Sequence, residues 1–218
     1  MYLSRLLLNP NSRQVQREAA APYQLHRTLM HAFPDKRDQS GILHRLDIHP
    51  RTGQITLLVQ SQVPPDWNKL PNPDILLPAD PFAGLDNPAL KEVNLALSVG
   101  QSLRFRLVAN PSIKKVRRDE NGKRRNSNRV PLVHEDKQLE WLQGQAAAHG
   151  FHVLQATISQ TQKQTSHKKG SKHPITLYTV QFDGHLQITE AALFQQALRA
   201  GIGPAKAFGC GLLSLAPA

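Results

Sequence analysis

A chain of 218 residues is long enough to bury a hydrophobic core in one domain of ordinary size or in two small ones. Its 27 Lys and Arg residues against 16 Asp and Glu residues leave a formal net charge of +11, which favours nucleic acid as a partner, with an anionic membrane surface second. No apolar run approaches the roughly 18 residues of a spanning helix, and the single cysteine, Cys210, excludes an internal disulfide, so the sequence predicts a protein of the reducing cytoplasm.

The first half of the chain predicts one helix among four strands. Pro22 suits the first turn of a helix and Pro34 lies just beyond its expected end, so residues 22–33 are predicted to be helical. Residues 9–18 indicate a polar loop, and the proline- and aspartate-rich segment from Pro64 to Pro88 leaves little room for regular helix. Alternating or apolar segments favour strands at residues 2–8, 41–48, 54–60 and 92–97.

The second half repeats strands and helices in a similar order. Over residues 103–107, apolar side chains alternate with Arg104 and Arg106, which predicts a strand with one core face and one cationic face. From Glu135 the apolar spacing becomes helical, and Gly150 is a suitable stop. A further helix is predicted from Thr189 to about residue 200. The remaining strands are predicted at residues 151–158, 175–182 and 211–215.

This order of elements predicts an α+β fold of two tandem ferredoxin-like βαββαβ domains, a layout that RNA-recognition domains share. Each domain is expected to have an antiparallel sheet with helices on one face. The boundary is predicted near residue 90, which gives an N-terminal domain over residues 1–90 and a C-terminal domain over residues 91–218. The second helix of the first domain is the least defined element, because it would fall between Pro64 and Pro88.

Most of the excess positive charge lies in two segments that look like exposed loops or hairpin tips. A single charged run is often only a solvated surface, but two acid-poor runs that hold nearly all of the excess favour nucleic acid. Neither is interleaved with aromatic residues, so contact with the backbone of a duplex or hairpin is expected rather than stacking on single strands. The basic residues of the first segment are Lys114, Lys115, Arg117, Arg118, Lys123, Arg124, Arg125 and Arg129, and those of the second are Lys163, Lys168, Lys169 and Lys172.

The predicted helix over residues 22–33 has an apolar core face and an opposite face that carries polar and ionisable side chains. Each residue advances about 100° around a helix axis. The side chains that this spacing gathers on the core face are Leu25, Leu29, Ala32 and Phe33, and those on the opposite face are Tyr23, His26, Arg27 and Met30. A phenol, an imidazole and a guanidinium group therefore share a face that core packing does not require.

These three groups suit cleavage of RNA by its own 2′-hydroxyl. That reaction needs one proton removed from the 2′-oxygen, one delivered to the 5′-oxygen, and charge stabilised on phosphorus, with no metal or other cofactor. His26 can exchange protons near neutral pH, Tyr23 can position the phosphate or the 2′-hydroxyl, and Arg27 can bind the phosphate. On its own the pattern is weak, because a histidine on an exposed helix face is usually just solvated.

The sequence offers little for other chemistries. The segment Gly201-Ile202-Gly203-Pro204-Ala205-Lys206 begins like a dinucleotide-binding fingerprint, but Lys206 replaces its third glycine and a helix precedes it where a strand is required. His149 and His152 have no partnering cysteines for a zinc site. No P-loop is present.

The glycine-rich loop over residues 201–211 places Gly201, Gly203, Gly209 and Gly211 within eleven residues, together with Lys206. Glycines let backbone amides approach a phosphate closely, and a lysine adds a positive charge. The same composition also fits a tight connection between a helix and a strand. The loop is therefore a candidate RNA contact or simply a turn.

Five segments carry a resemblance to a known family. They are MYLSRLLL, YQLHRTLMHAFP, RFRLVANPSIKK, RVPLVHEDKQLEWL and the ending GIGPAKAFGCGLLSLAP. Together they resemble the CRISPR repeat-processing endoribonucleases of the CasE type, which belong to type I-E Cascade, and the ending is similar to the family's C-terminal signature. The resemblance runs essentially from end to end and is least specific between Pro64 and Pro88.

The resemblance implies a tandem ferredoxin-like fold that binds the stem-loop of a CRISPR repeat and cuts once at its 3′ base without a metal. The products would be a 5′-hydroxyl and a 2′,3′-cyclic or 3′-phosphate end, and the enzyme would stay on its product and join other Cascade subunits. Tyr23 and His26 match the family's tyrosine and histidine, and residues 163–172 match a hairpin that enters the groove of the RNA stem. The main alternative is a non-catalytic subunit that only binds the hairpin, and a DNA-binding module is third.

Overall fold

The computed structural model describes residues 1–34, 39–80, 86–114, 117–118, 120, 124–125, 129–166 and 175–218. Its helices are α1 Arg13–Ala19, α2 Pro22–Leu29, α3 Glu135–Ala148 and α4 Ala191–Ala200. Short 3₁₀ turns occur at Met30–Ala32, Trp67–Lys69, Pro73–Ile75 and Lys206–Phe208. None of the helices in the described ranges has the length and apolar character needed to cross a membrane.

Within the described ranges, the strands form two four-stranded antiparallel sheets and two short ribbons. The first sheet contains β1 Tyr2–Leu8, β2 Leu43–Ile48, β3 Ile55–Ser61 and β4 Ala89–Glu92. The other strands are β5 Ser102–Ala109, β6 Ser112–Lys114, β7 Arg117–Arg118, β8 Arg124–Arg125, β9 Arg129–Pro131, β10 Phe151–Ser166, β11 Ile175–Ile188 and β12 Leu213–Pro217.

Both large sheets have the strand order of a ferredoxin-like fold. The first is ordered β2-β3-β1-β4 and the second β10-β11-β5-β12, so each places its first and third strands in the centre and its second and fourth at the edges. The predicted fold class, two tandem ferredoxin-like units with antiparallel sheets, is confirmed. From β5 to β12 the elements follow the full βαββαβ order, with the short ribbons inserted after β5, whereas between β3 and β4 the described residues have only 3₁₀ turns.

The first compact unit comprises Met1–Leu97 together with Gln195–Leu212, so the glycine-rich loop belongs to it. Its core lies between the sheet and helices α1 and α2, and the predicted core face of the 22–33 helix is confirmed, with Leu25, Leu29, Ala32 and Phe33 all buried. The helix itself ends at Leu29 and continues as a 3₁₀ turn. The boundary near residue 90 stays a prediction.

Two elements of the first unit differ from the sequence prediction. The expected loop over residues 9–18 contains α1, whose buried residues are Val15 and Glu18. Glu18 is buried because its Oε1 accepts hydrogen bonds from Thr28 Oγ1 and Gln14 Nε2, both at 2.9 Å. The strand predicted at 92–97 is wrong in position, since β4 runs from Ala89 to Glu92.

The register of the sheet explains the shift of β4. Glu92 is opposite Tyr2, the first residue of β1, and the next residue adds one backbone hydrogen bond, from Val93 N to Met1 O. In the described residues the strand therefore ends at Glu92, and the alternating residues that follow it, 93–97, are not part of a strand.

The second compact unit comprises Ser98–Phe194 and Leu213–Ala218. Leu103, Phe105 and Leu107 are buried while Arg104 and Arg106 are exposed, as the alternation predicted. Helix α3 buries Leu142 and Ala146, and Gly150 follows it with a φ of +72°, as expected of a helix stop. Strands β10 and β11 form one long hairpin, so both are longer than predicted.

Candidate active site

Helix α2 brings Tyr23 and His26 onto one face, one turn apart. Pro22 occupies its first turn, and Leu25 and Leu29 anchor the opposite face in the core. Arg27 is exposed, and its Nη1 donates a hydrogen bond to Gln24 Oε1 at 3.2 Å. Tyr23 and His26 are partly buried. The expected free face is therefore correct for Arg27 and only partly so for the other two, because each of them packs against another ring.

Tyr23 packs against Phe208 of the glycine-rich loop. The two ring centroids are 5.5 Å apart and the planes are inclined by 28°, which is a stacked arrangement. Phe208 ends the Lys206–Phe208 turn, and the backbone on either side is left-handed, with φ +68° at Ala205 and +80° at Gly209. The loop thus turns sharply twice and presents an aromatic side chain to the helix.

His26 packs in the same way against His44, on strand β2. The ring centroids are 5.6 Å apart with an interplanar angle of 20°. His44 is 1% exposed. Neither ring nitrogen of His44 has a hydrogen-bond partner among the described residues, nor does the buried Nδ1 of His26.

Burial sets the protonation of this pair. It lowers the pKa of His26, and burial together with the neighbouring His26 lowers the pKa of His44 to about 3. His44 is therefore neutral at physiological pH. His26 is also predominantly neutral there and retains the ability to accept a proton from a substrate that reaches Nε2.

The glycines of the 201–211 loop serve the packing of the loop itself. A methyl group at Gly201, where φ is +76°, would lie 2.6 Å from Leu43 Cδ2, and one at Gly211, where φ is +92°, would lie 3.0 Å from Ile202 O. Ile202 N donates to Gly211 O at 2.9 Å and closes the loop. Gly203 also has a positive φ, of +78°. The turn interpretation thus has direct support, and the role of these glycines and Lys206 in binding RNA stays a prediction.

The first basic segment is built as a pair of short antiparallel ribbons, in agreement with the predicted hairpin. Strands β6 and β9 place Lys114 opposite Arg129, and both side chains are exposed. The register of β7 and β8 pairs Arg117 with Arg125, and Arg118 with Arg124. Lys115 and Lys123 lie outside the described residues. The like charges of Lys114 and Arg129 destabilise their ribbon unless counter-anions neutralise them, so this pair favours an anionic partner.

The second basic segment belongs to the β10–β11 hairpin. Lys163 is exposed on β10, opposite Tyr178 of β11. Lys168, Lys169 and Lys172 lie outside the described residues. The prediction of a hairpin is thus confirmed up to the pair Ser166 and Ile175.

A family model described as CRISPR associated protein matches residues 1–217. The chain belongs to this family. Two relatives align over 100% of this chain and of their own length: the CRISPR-associated endoribonuclease Cse3 of Thermus thermophilus, 34% identical over 230 residues, and the CRISPR system Cascade subunit CasE of Escherichia coli, 32% identical over 225 residues. A structure of Thermus thermophilus Cse3 bound to an RNA representing a pre-cleavage complex superposes with a TM-score of 0.82 at 31% identity, over 99% of this chain and 98% of that one.

Two residues of this CRISPR-associated protein's site were not identified from the sequence. His44 is buried on the edge strand β2, between the buried residues Leu43 and Arg45. A histidine within this predicted strand is the one feature of the sequence that could have identified it. Phe208 lies within the glycine-rich loop, where its one signal is an aromatic residue among glycines and alanines. Both side chains contact α2 only in the folded protein. The spacing of residues in the sequence does not indicate such a contact.

Proposed function

We propose that this CRISPR-associated protein is a metal-independent endoribonuclease that binds the stem-loop of CRISPR repeat RNA and cleaves it at the 3′ base of the stem. The observation that carries the proposal is the pairing of Tyr23 and His26 on one face of α2, in a chain 34% identical over its full length to an endoribonuclease. The exposed basic ribbon and hairpin supply the electrostatic attraction for the RNA backbone.

The reaction is an attack of the RNA's 2′-oxygen on the adjacent phosphorus with departure of the 5′-oxygen. One proton leaves the 2′-hydroxyl and one joins the 5′-oxygen, which gives a 2′,3′-cyclic phosphate, open to hydrolysis to a 3′-phosphate, and a 5′-hydroxyl. His26 exchanges one of these protons, a role that contributes on the order of 10² to 10⁴ in rate. Its lowered pKa favours the neutral form that accepts the 2′-proton.

The neighbouring groups handle the phosphate. Tyr23, held against Phe208, positions the phosphate or the 2′-hydroxyl through its phenol group. Arg27 is exposed one residue beyond His26, and its guanidinium group binds the phosphate oxygens. No cofactor enters this mechanism.

After cleavage the protein stays on its product RNA and joins other Cascade subunits. The relative from Escherichia coli is named as a Cascade subunit and aligns with the whole chain, which supports this assignment. The proposal also places the protein in the cytoplasm, as the prediction from its single cysteine does.

The decisive test is a cleavage assay with purified protein and an RNA of the organism's own CRISPR repeat. His26→Ala should lower the single-turnover rate on the order of 10²-fold or more, because proton transfer is lost, while RNA affinity stays unchanged. A matched RNA with a single 2′-deoxy substitution at the cut site should bind and remain intact.

The alternatives give different results in the same assay. If the wild-type protein binds the repeat but never cuts it, the protein is a hairpin-binding scaffold. Wild-type rates in His26→Ala would remove His26 from the mechanism, and loss of cleavage in EDTA would show that a metal takes part. Equal affinity for a DNA hairpin of the same sequence would favour a DNA-binding module.

A further inference from the structure

His44 is a costly residue for the core position that it occupies. Buried polar atoms nearly always have hydrogen-bond partners, and leaving one unpaired is unfavourable. His44 is 1% exposed, and in the part of the chain that the structure describes both of its ring nitrogens lack a partner. An apolar side chain would fill the same space without this cost. Core packing alone therefore does not account for an imidazole ring here.

The position of His26 supplies a reason for the ring. A catalytic histidine is usually oriented by a hydrogen bond from its second ring nitrogen to a carbonyl or carboxylate oxygen. His26 Nδ1 is buried, and no described residue bonds to it. Among the described residues the ring is therefore oriented by packing, and the nearly parallel ring that packs against it is His44, at 5.6 Å between centroids.

His44 is itself firmly placed. Its strand is paired with β3, where His44 lies opposite the buried Val59. On another side, a methyl group at Gly209 would lie 3.7 Å from His44 Nε2, an ordinary contact, so the glycine-rich loop closes against the ring. A strand and a loop thus fix the ring against which His26 rests.

We propose that His44 is a positioning residue whose buried ring holds the His26 imidazole by flat stacking, with His26 Nε2 directed to the RNA. The inference rests on the proposed function, since it assigns His26 the proton transfer. It is consistent with the charges, because the pKa of His44 is lowered to about 3 and the ring stays neutral when His26 gains a proton. A neutral aromatic face beside a cationic imidazole is favourable, whereas two cationic rings would repel each other.

Two substitutions at His44 distinguish the effect of a flat ring from the effect of its nitrogen atoms. His44→Phe and His44→Leu both remove the unpaired nitrogens and fill the site with apolar atoms, so both should fold at least as stably as the wild type. Only phenylalanine offers a flat ring, and Gly209 places no side chain against it. Val59→Ala is the matched control, because it weakens the core beside His44 and leaves the imidazole ring of His44 itself unchanged.

The measurement is the single-turnover cleavage rate at saturating protein, with the dissociation constant for the 2′-deoxy repeat RNA. A misplaced catalytic group loses rate steeply, so His44→Leu should cleave about tenfold or more slowly at unchanged affinity. His44→Phe should stay within about threefold of the wild type. Val59→Ala should keep the wild-type rate per folded molecule. A wild-type rate in His44→Leu, or an equal loss in His44→Phe, would overturn the proposal.

A second readout does not depend on cleavage. In the RNA-free protein, the Cε1–H resonance of His26, assigned by its loss in His26→Ala, should carry a ring-current shift from His44. The shift should persist in His44→Phe and vanish in His44→Leu, and its persistence in His44→Leu would contradict the stack. If instead the wild-type protein cleaves no repeat RNA, the proposed function fails, while the resonance still decides whether the rings are stacked.

Discussion

The imidazole groups of His26 and His44 are chemically identical, and the protein gives them different properties through burial. His26 is only partly buried, whereas His44 is fully buried between α2, which carries His26, and the glycine-rich loop. The pKa of both is lowered, to about 3 in His44. A proton that enters this pair therefore resides on His26, the residue that can pass it on.

The depressed pKa of His44 predicts a specific dependence of stability on pH. The unfolded chain binds a proton at His44 below about pH 6.5, but the folded protein does not until the pH approaches 3. The free energy of unfolding should therefore fall as the pH drops from 6.5 towards 3, by up to about 1.4 kcal/mol per pH unit from this residue.

Urea unfolding at pH 7, 6, 5 and 4.5, for the wild type and His44→Leu, isolates this contribution. Titrating groups outside the His26–His44 pair act alike in both proteins, so the difference between their free energies of unfolding should grow as the pH falls. Parallel curves for the two proteins would show that His44 takes up its proton equally in the folded and unfolded states.

Among the elements, the glycine-rich loop depends on backbone conformations that other residues resist. Gly201→Ala should destabilise the protein by about 1 to 3 kcal/mol, because φ is +76° and the methyl group would meet Leu43 at 2.6 Å. Gly144→Ala is the matched control: Gly144 lies inside α3 with nothing within 4 Å of an added methyl group, so it should stabilise by about 0.5 to 1 kcal/mol.

Thermal and urea unfolding of the two variants measure these opposite changes in the free energy of unfolding. If Gly201→Ala proves neutral, the loop adopts a different backbone conformation in solution. Because Phe208 depends on the same loop, Gly201→Ala should also weaken the stacking on Tyr23 and slow cleavage. Gly144→Ala should cleave at the wild-type rate.

The sequence predicted burial correctly where the spacing of apolar residues within a single strand or helix indicates its core face. The alternation of residues 103–107 and the 3.6-residue spacing over 22–33 predicted which side chains are buried, and both are confirmed. Helix α1 was missed because one of its two buried residues is Glu18, which is held by hydrogen bonds and interrupts any apolar stripe. The helical spacing of residues 22–33 identified Tyr23 and His26 as candidate site residues. Phe208 and His44 pack against them only in the tertiary fold, so the sequence pattern did not identify these two.

Over the whole molecule, a net charge of +11 creates a general attraction to RNA, while the basic ribbon offers specific contacts. The two effects respond differently to substitution. A long-range field depends on how many charges remain, wherever they lie. A direct phosphate contact depends on the particular side chain and releases a counter-ion when it forms.

The salt dependence of RNA binding distinguishes these contributions. Lys114 and Arg129 are exposed and opposite each other, so the double variant Lys114→Ala with Arg129→Ala should reduce the slope of log affinity against log salt concentration by about 2, roughly 1 for each lost phosphate contact. The control removes the same charge elsewhere, by Lys69→Ala with Lys137→Ala, two lysines that are already paired with Asp66 and Glu140.

The affinity of each variant for the 2′-deoxy repeat RNA is measured at salt concentrations from about 50 to about 300 mM, where such affinities change strongly. The slope of log affinity against log salt concentration follows from these values. The control should keep the wild-type slope although its net charge is equally reduced. The same decrease in both double variants would mean that the ribbon acts only through the overall charge of the molecule. A decrease confined to Lys114 and Arg129 would establish it as a contact surface, because only local neutralisation of phosphates releases counter-ions at that position.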